Sequence, residues 1–204
     1  MANSEVVHVI DDDADVRQSL AFLLSTAGIA VRVHESAVAF LEALPTIEGG
    51  CVVTDVRMPG MDGIALQRRL KTENNSIPVI VMTGHGDISL AVEAMKAGAV
   101  DFIEKPFEDD VLIGAIKTAL SRRRQDNERR SATSEVRDRL KLLSERERQV
   151  LDGLVAGKPN KIIAYDLGIS PRTVEIYRAN VMTKMKADSL STLVRMVLQQ
   201  GVDG

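Results

Sequence analysis

The sequence predicts two domains of different class: an α/β domain over residues 1–120, built as a five-stranded parallel doubly wound (βα)5 sheet, and an all-α domain of four helices over residues 141–204. A linker at 121–140, which can be helical, joins them. Three observations lead there. The first half alternates short β-rich apolar runs with segments of helical spacing, the second half shows helical spacing alone, and the charge divides between them. Residues 1–120 carry 9 Lys/Arg against 18 Asp/Glu, net −9, whereas residues 121–204 carry 17 against 11, net +6. Such a split implies different partners, nucleic acid being the candidate for the basic half.

In order along the chain, the strands are VVHVI (6–10), IAVRVH (29–34), CVVTD (51–55), IPVIVMT (77–83) and AVDFIE (99–104). Helical spacing fills 14–27, 36–44, 62–73, 87–97 and 108–120. Near-continuous apolar strands alternating with helices describe a parallel sheet covered on both faces. Sheets of this type bind ligands beyond the carboxyl ends of their strands. The polar residues gather at those ends: Asp11 and Asp12 after the first strand, Asp55 closing the third, Thr83 closing the fourth and Lys105 after the fifth. Three hard carboxylates with room for water suit a magnesium (or manganese) ion. Asp13 and Asp15 are expected to face solvent and start the first helix. A calcium loop over Asp11, Asp13 and Asp15 is excluded, because its sixth position is Val16 instead of glycine and its twelfth is Phe22 instead of glutamate.

Other residues carry less. The single cysteine, Cys51, excludes an intramolecular disulfide and reads as a small core residue. His8 reads as packed, His34 as exposed, and His85 as lying near the strand ends without an evident role. No apolar run approaches the ~18 residues of a membrane span, and MANSEVV lacks a basic, apolar leader, so a cytoplasmic protein without membrane contact is expected.

VIDDD, TDVRMPGMDG, VMTGHGD and AVDFIEKPF together resemble the receiver domain of two-component response regulators over roughly residues 5–120. The resemblance implies that Asp55 accepts a phosphoryl group and that Asp11, Asp12, Asp55 and the backbone carbonyl of Arg57 hold the metal. It implies that Thr83 and Lys105 contact the phosphoryl oxygens, and that the Lys105–Pro106 bond is cis. Thr83 and Phe102 would be a switch pair, signalling through the face made of 87–97, 99–104 and 108–120. A phosphohydrolase of the haloacid-dehalogenase type is the enzymatic alternative. It expects a second aspartate two residues after the nucleophile, where Arg57 stands, and leaves the basic domain unexplained. The expectation is therefore a regulator and not an enzyme.

SRRRQDNERRSATSEVRDRL (121–140) is polar and reads as a semi-rigid connector. Beyond it, Ser144 and Glu147 make a capping box before Val150, Leu151 and Leu154, and Gly157 stops that helix. Pro159 opens a second helix ending near Gly168, Ser170 caps a third with Pro171 at its first position, and Leu190 to Leu198 supplies the fourth. Two helices joined by LGISP have the proportions of a helix-turn-helix, whose later helix enters the major groove. At ~100° per residue, Val174, Tyr177, Val181 and Met185 form its buried stripe. Arg172, Glu175, Ile176, Ala179, Thr183 and Lys186 face outward, and an exposed isoleucine there can meet a thymine methyl. With Lys161 and Thr173 these are the candidate DNA contacts.

SERERQVL, GKPNKIIAYDLGISPRTVE and the long third helix resemble the LuxR-type helix-turn-helix that ends the NarL/FixJ class of regulators, over about 141–200. Tyr177 departs from the histidine frequent there, so no backbone contact is carried to it. Within that class the resemblance is to nitrogen-fixation regulators. It implies a sensor histidine kinase of the FixL type as phosphodonor, a homodimer when phosphorylated, promoter DNA and RNA polymerase as partners, and transcriptional activation.

Overall fold

The computed structural model describes residues 5–73, 75–84 and 88–200, with the side chains of 199 and 200 excepted. The chain forms two compact units, Met1–Gln125 and Asp126–Gly204. In the first, strands β1 (Val7–Ile10), β2 (Val31–His34), β3 (Cys51–Asp55), β4 (Val79–Thr83) and β5 (Asp101–Glu104) form one parallel sheet in the order β2-β1-β3-β4-β5. Around it lie α1 (Ala14–Thr26), α2 (Ala37–Ala43), α3 (Gly63–Thr72), α4 (Ile88–Ala97) and the first part of α5 (Asp109–Lys141). The chain leaves β1 for β2 on one side and returns to β3 on the other. The crevice of the sheet therefore opens between β1 and β3, where Asp11 and Asp55 emerge.

Strand alternation divides the core in two. Val52, Val79 and Val81 pack with Ile10, Phe40, Leu66 and Leu70 on one face, while Val7, Val9, Val53, Ile80 and Met82 pack with Leu24, Leu112 and Ile116 on the other. Each fully buried Leu or Ile contributes about 1.5–3 kcal/mol. Cys51 belongs to the second face, and burial pushes its thiol up to about 12, so it is an inert core residue.

One reading left open by the sequence is resolved, and one expectation needs correction. The connector is a helix: α5 runs unbroken from Asp109 to Lys141, because 121–140 contains neither proline nor glycine and is rich in good helix formers. Its end is braced by Arg139–Glu135 and Lys141–Asp138 pairs at i,i+4 and i,i+3 spacing. His34, expected to be exposed, is buried. It lies on the same face as Ile10, within hydrogen-bond distance of His8 (Nδ1 to Nε2, 3.0 Å), and both rings stack edge-on against Phe40.

Burial, the His34 ring and the nearby Arg32 and Arg123 charges lower His8 to about 4; burial and Arg32 lower His34. A neutral histidine pair costs stability as acid protonates the unfolded chain first, near pH ~6.5. The first unit is expected to lose up to about 3 kcal/mol of stability between pH ~6.5 and ~4 on account of His8, with that loss complete below ~4. Denaturant titrations across that window check this, and His8→Val combined with His34→Val should flatten the profile.

In the second unit α6 (Glu145–Val155), α7 (Asn160–Leu167), α8 (Pro171–Met185) and α9 (Leu190–Gln200) pack around Val150, Leu151, Ile163, Val174, Val181, Met185 and Leu193. The end of α5 joins them through Val136 and Leu140. The expected capping box of Ser144 and Glu147 is present, Gly168 ends α7 in the left-handed conformation, and Ser170 caps α8 with Pro171 at its first turn.

Candidate functional site

The carboxyl ends of β1, β3, β4 and β5 bring the predicted polar residues to one edge. Asp11 is 2% exposed, its Oδ1 accepting the Asp13 N–H at 3.0 Å. Asp55, half-buried at the end of β3, accepts the Arg57 N–H on Oδ2 at 2.6 Å. Lys105 joins them, its Nζ donating to Asp55 Oδ1 at 2.6 Å and to Asp11 Oδ2 at 3.1 Å. Burial alone would lower the Lys105 pKa, but the hydrogen bond and charge of Asp55, with Asp11 behind it, outweigh burial and hold it above its usual value. The Lys105–Pro106 bond is cis.

Asp12 is exposed, and Asp13 caps α1 by accepting from the Asp15 and Val16 N–H groups. Among the described residues no three carboxylate, histidine or cysteine groups stand together as a ready metal cage. The donor chemistry nevertheless fits a hard cation: a buried and a half-buried carboxylate, Asp11 and Asp55, converge and already draw an ammonium between them. His85 lies outside the described residues.

Thr83 is buried at the end of β4, while Phe102, 43% exposed, stands on β5. The register puts Val81 opposite Phe102 and Thr83 opposite Glu104, so Thr83 and Phe102 share one sheet face. Both line an apolar cavity of about 510 Å3 with Ile88, Val92 and Met95 of α4. The ring is turned out of the core, the opposite of the ordinary position of a strand phenylalanine.

Two features of the site escaped the sequence. Gly63 opens α3 directly behind Asp55, its N–H donating to the Val56 carbonyl at 3.0 Å, and a Cβ there would lie 2.3 Å from the Asp55 backbone oxygen. Arg17 donates to the Asp11 carbonyl at 2.7 Å. The signal for Gly63 was present in MDG, where an aspartate caps a helix whose first residue has no side chain.

On the second unit, Val174, Val181 and Met185 are fully buried and Tyr177 partly so, as the helical spacing of α8 predicts. Arg172, Glu175, Ile176, Ala179, Thr183 and Lys186 are exposed, as is Lys161 on α7. Thr173 is half-buried, its N–H and hydroxyl engaged with the Ser170 side chain. Arg172 and Glu175 form an exposed pair at 3.7 Å, weak enough to open toward a ligand. The Thr183 hydroxyl donates to the Ala179 carbonyl, and Lys186 ends the helix in the left-handed conformation.

Residues 7–117 match the response regulator receiver domain family, and residues 141–197 match the luxR family of bacterial regulatory proteins. The chain is 59% identical to the transcriptional regulatory protein FixJ of Azorhizobium caulinodans, over 99% of this chain and 96% of that one. It is 58% identical to FixJ of Rhizobium meliloti, over 96% of each. Among solved structures it is similar to full-length FixJ from B. japonicum, with TM-score 0.62 and 54% identity over 97% of this chain and 98% of that one. It is also similar to the response regulator StyR, with TM-score 0.87 and 41% identity over 96% and 99%.

Proposed function

Since this chain belongs to the FixJ-like response regulators of two-component systems, transcriptional regulators that join a receiver domain to a LuxR-type DNA-binding domain, we propose that Asp55 is its phosphoacceptor and that α8 reads promoter DNA. The observation that carries the first half is the Lys105 ammonium, held 2.6 Å from Asp55 and 3.1 Å from Asp11. An Asp55 oxygen attacks the phosphorus of a kinase phosphohistidine; the P–O bond forms, the P–N bond breaks, and the imidazole leaves. Lys105 offsets charge on the transferred group, and the Thr83 hydroxyl donates to one of its oxygens. Asp11, Asp12, Asp55 and the Arg57 carbonyl would hold magnesium, which neutralises the phosphoryl oxygens.

Phosphorylation adds charge and acceptor oxygens beside Thr83. Thr83 moves toward them, and Phe102 turns into the cavity it already lines, repacking the face of α4, β5 and the start of α5. That face exposes Ile88, Val92, Met95, Phe102 and Val111, an apolar set for a partner copy. The resulting homodimer presents two α8 helices to half-sites on promoter DNA and recruits RNA polymerase. A FixL-type kinase, nitrogen-fixation promoters and a cytoplasmic setting fit the FixJ relatives; no helix among the described residues is long and apolar enough to cross a membrane. Residues 1–120 serve phosphoacceptance and 141–204 DNA binding, with 121–140 between them.

Light scattering of the full chain at micromolar concentration, with and without acetyl phosphate and magnesium, is expected to show the mass doubling. An unchanged mass alongside tighter DNA binding rejects the dimer as the switch. Binding to DNA is expected to weaken on the order of 10³-fold between about 50 and about 200 mM salt, through counterion release from Lys and Arg contacts. Glu175→Ala or Ile176→Ala should change base preference, whereas Lys161→Ala or Lys186→Ala should weaken all sequences alike.

A further inference from the structure

We infer that Arg139, near the end of α5 and before the matched DNA-binding family region, is a positioning residue for base readout by α8. The inference rests on α8 being the DNA-reading helix. A helix ends with carbonyls that have no intrahelical donor and with a partial negative charge. At the end of α8 the Lys186 N–H reaches the Met182 and Thr183 carbonyls, and the Met185 carbonyl is taken by Arg139 Nη1 at 3.3 Å. Arg139 is itself held in place, with its side chain 20% exposed and its Nη2 donating to Glu135 at 2.7 Å. One residue earlier, Lys184 Nζ donates to the Leu142 carbonyl at 3.2 Å and to the buried Glu147 at 2.7 Å. Glu147 in turn accepts the Ser144 N–H in the capping box of α6. Val136, Leu140 and Leu143 pack into the same core as Val181 and Met185. The carboxyl end of α8 is thus pinned at two points by residues 139–147.

Its amino-terminal half carries Arg172, Glu175 and Ile176. A helix of this length spans ~20 Å at ~1.5 Å per residue. A tilt of roughly 5° about the carboxyl end moves the other end by roughly 1.7 Å, enough to break hydrogen bonds that tolerate only a few tenths of an ångström. Phosphate contacts, made by long flexible side chains, follow such a tilt; bidentate base contacts do not. Loss of Arg139 therefore removes discrimination while sparing general affinity.

The test uses the full chain, acetyl phosphate and two duplexes, one selected from a random-sequence pool by the wild type and one unselected. Failure of the wild type to enrich any sequence would reject the DNA-reading role of α8 itself and is separate from the comparison that follows. Arg139→Met is expected to lower the ratio of selected to unselected affinity about tenfold, leave the unselected affinity within about twofold, and leave the salt slope unchanged. Arg139→Lys, which can still donate to the Met185 carbonyl, should return the ratio to within about threefold of wild type. Equal losses on both duplexes with a slope reduced by ~0.9 would make Arg139 a phosphate contact and overturn the inference. If Arg139→Met does not fold, Glu135→Gln, which loosens Arg139 from an exposed site, should lower the ratio two- to threefold; an unchanged ratio overturns the inference equally.

Discussion

Asp55→Asn is expected to bring phosphoryl labelling by acetyl phosphate or a kinase down to background, because an amide is neither an anionic nucleophile nor able to form the acyl phosphate. The structure makes the site hard to replace. Asp55 is the carboxylate that both accepts from Lys105 Nζ and sits next to the Arg57 N–H, and Asp11 behind it is already engaged by Lys105 and the Asp13 N–H. Lys105→Met should slow labelling on the order of 10²-fold, the usual effect of removing one donor aimed at developing charge. Asp12→Asn should first raise the magnesium concentration required, since Asp12 is exposed and makes no contact with Lys105 comparable to that of Asp11. Radiolabel uptake across a magnesium series separates the three. Uptake by the asparagine variant at the wild-type level would move the phosphoacceptor elsewhere.

The second large effect is expected from Gly63→Ala. The added carbon would lie 2.3 Å from the Asp55 backbone oxygen and 3.1 Å from Thr54 Cγ2. No flexible side chain can yield there, so either α3 or the end of β3 must shift. The expected cost is about 3 kcal/mol or more, at the upper end of overpacking, with slower labelling because Asp55 moves with its own carbonyl. Gly28→Ala is the natural comparison: its φ of +73° disfavours a side chain, yet nothing lies within 4 Å of the added carbon. It should cost only about 1–2 kcal/mol and leave labelling alone. Denaturant midpoints and labelling rates of the two variants distinguish crowding at the site from backbone strain at a distance.

The strands and the site edge were legible because both are local. A β-rich run ending in a carboxylate or hydroxyl announces its register and its polar end within five residues, as CVVTD and VIVMT do. Membership of one edge followed from the general rule for parallel sheets. The particular embrace of Asp11 and Asp55 by Lys105 spans 94 and 50 positions and is a product of topology. His34 was misplaced for the same reason: it closes the second strand, a place that reads as exposed, and it is the partner ring on β1, 26 residues away, together with Phe40, that explains why it is buried. The capping signals of the second unit were fully local and came out where expected, at Ser144, Gly168 and Ser170. The helical connector stayed open in the sequence because its polar composition suits water-exposed coil and solvated helix equally. Val136 and Leu140 alone hint that its end has a core to enter.

That buried end sets a rule for anyone exchanging sensory modules between regulators. A chimera joined at residue 141, where the family match begins, would keep every residue of the four-helix unit and still discard Val136, Leu140 and Arg139. The recipient would inherit a hole in its hydrophobic interior, worth roughly 24 cal/mol per Å3 of space left unfilled, together with an unanswered carbonyl at Met185. A seam at Asp126, the first residue of the second compact unit, carries those side chains across with the module they serve. Libraries of hybrid regulators cut at the two seams should therefore differ in how many members fold, before any question of signalling arises.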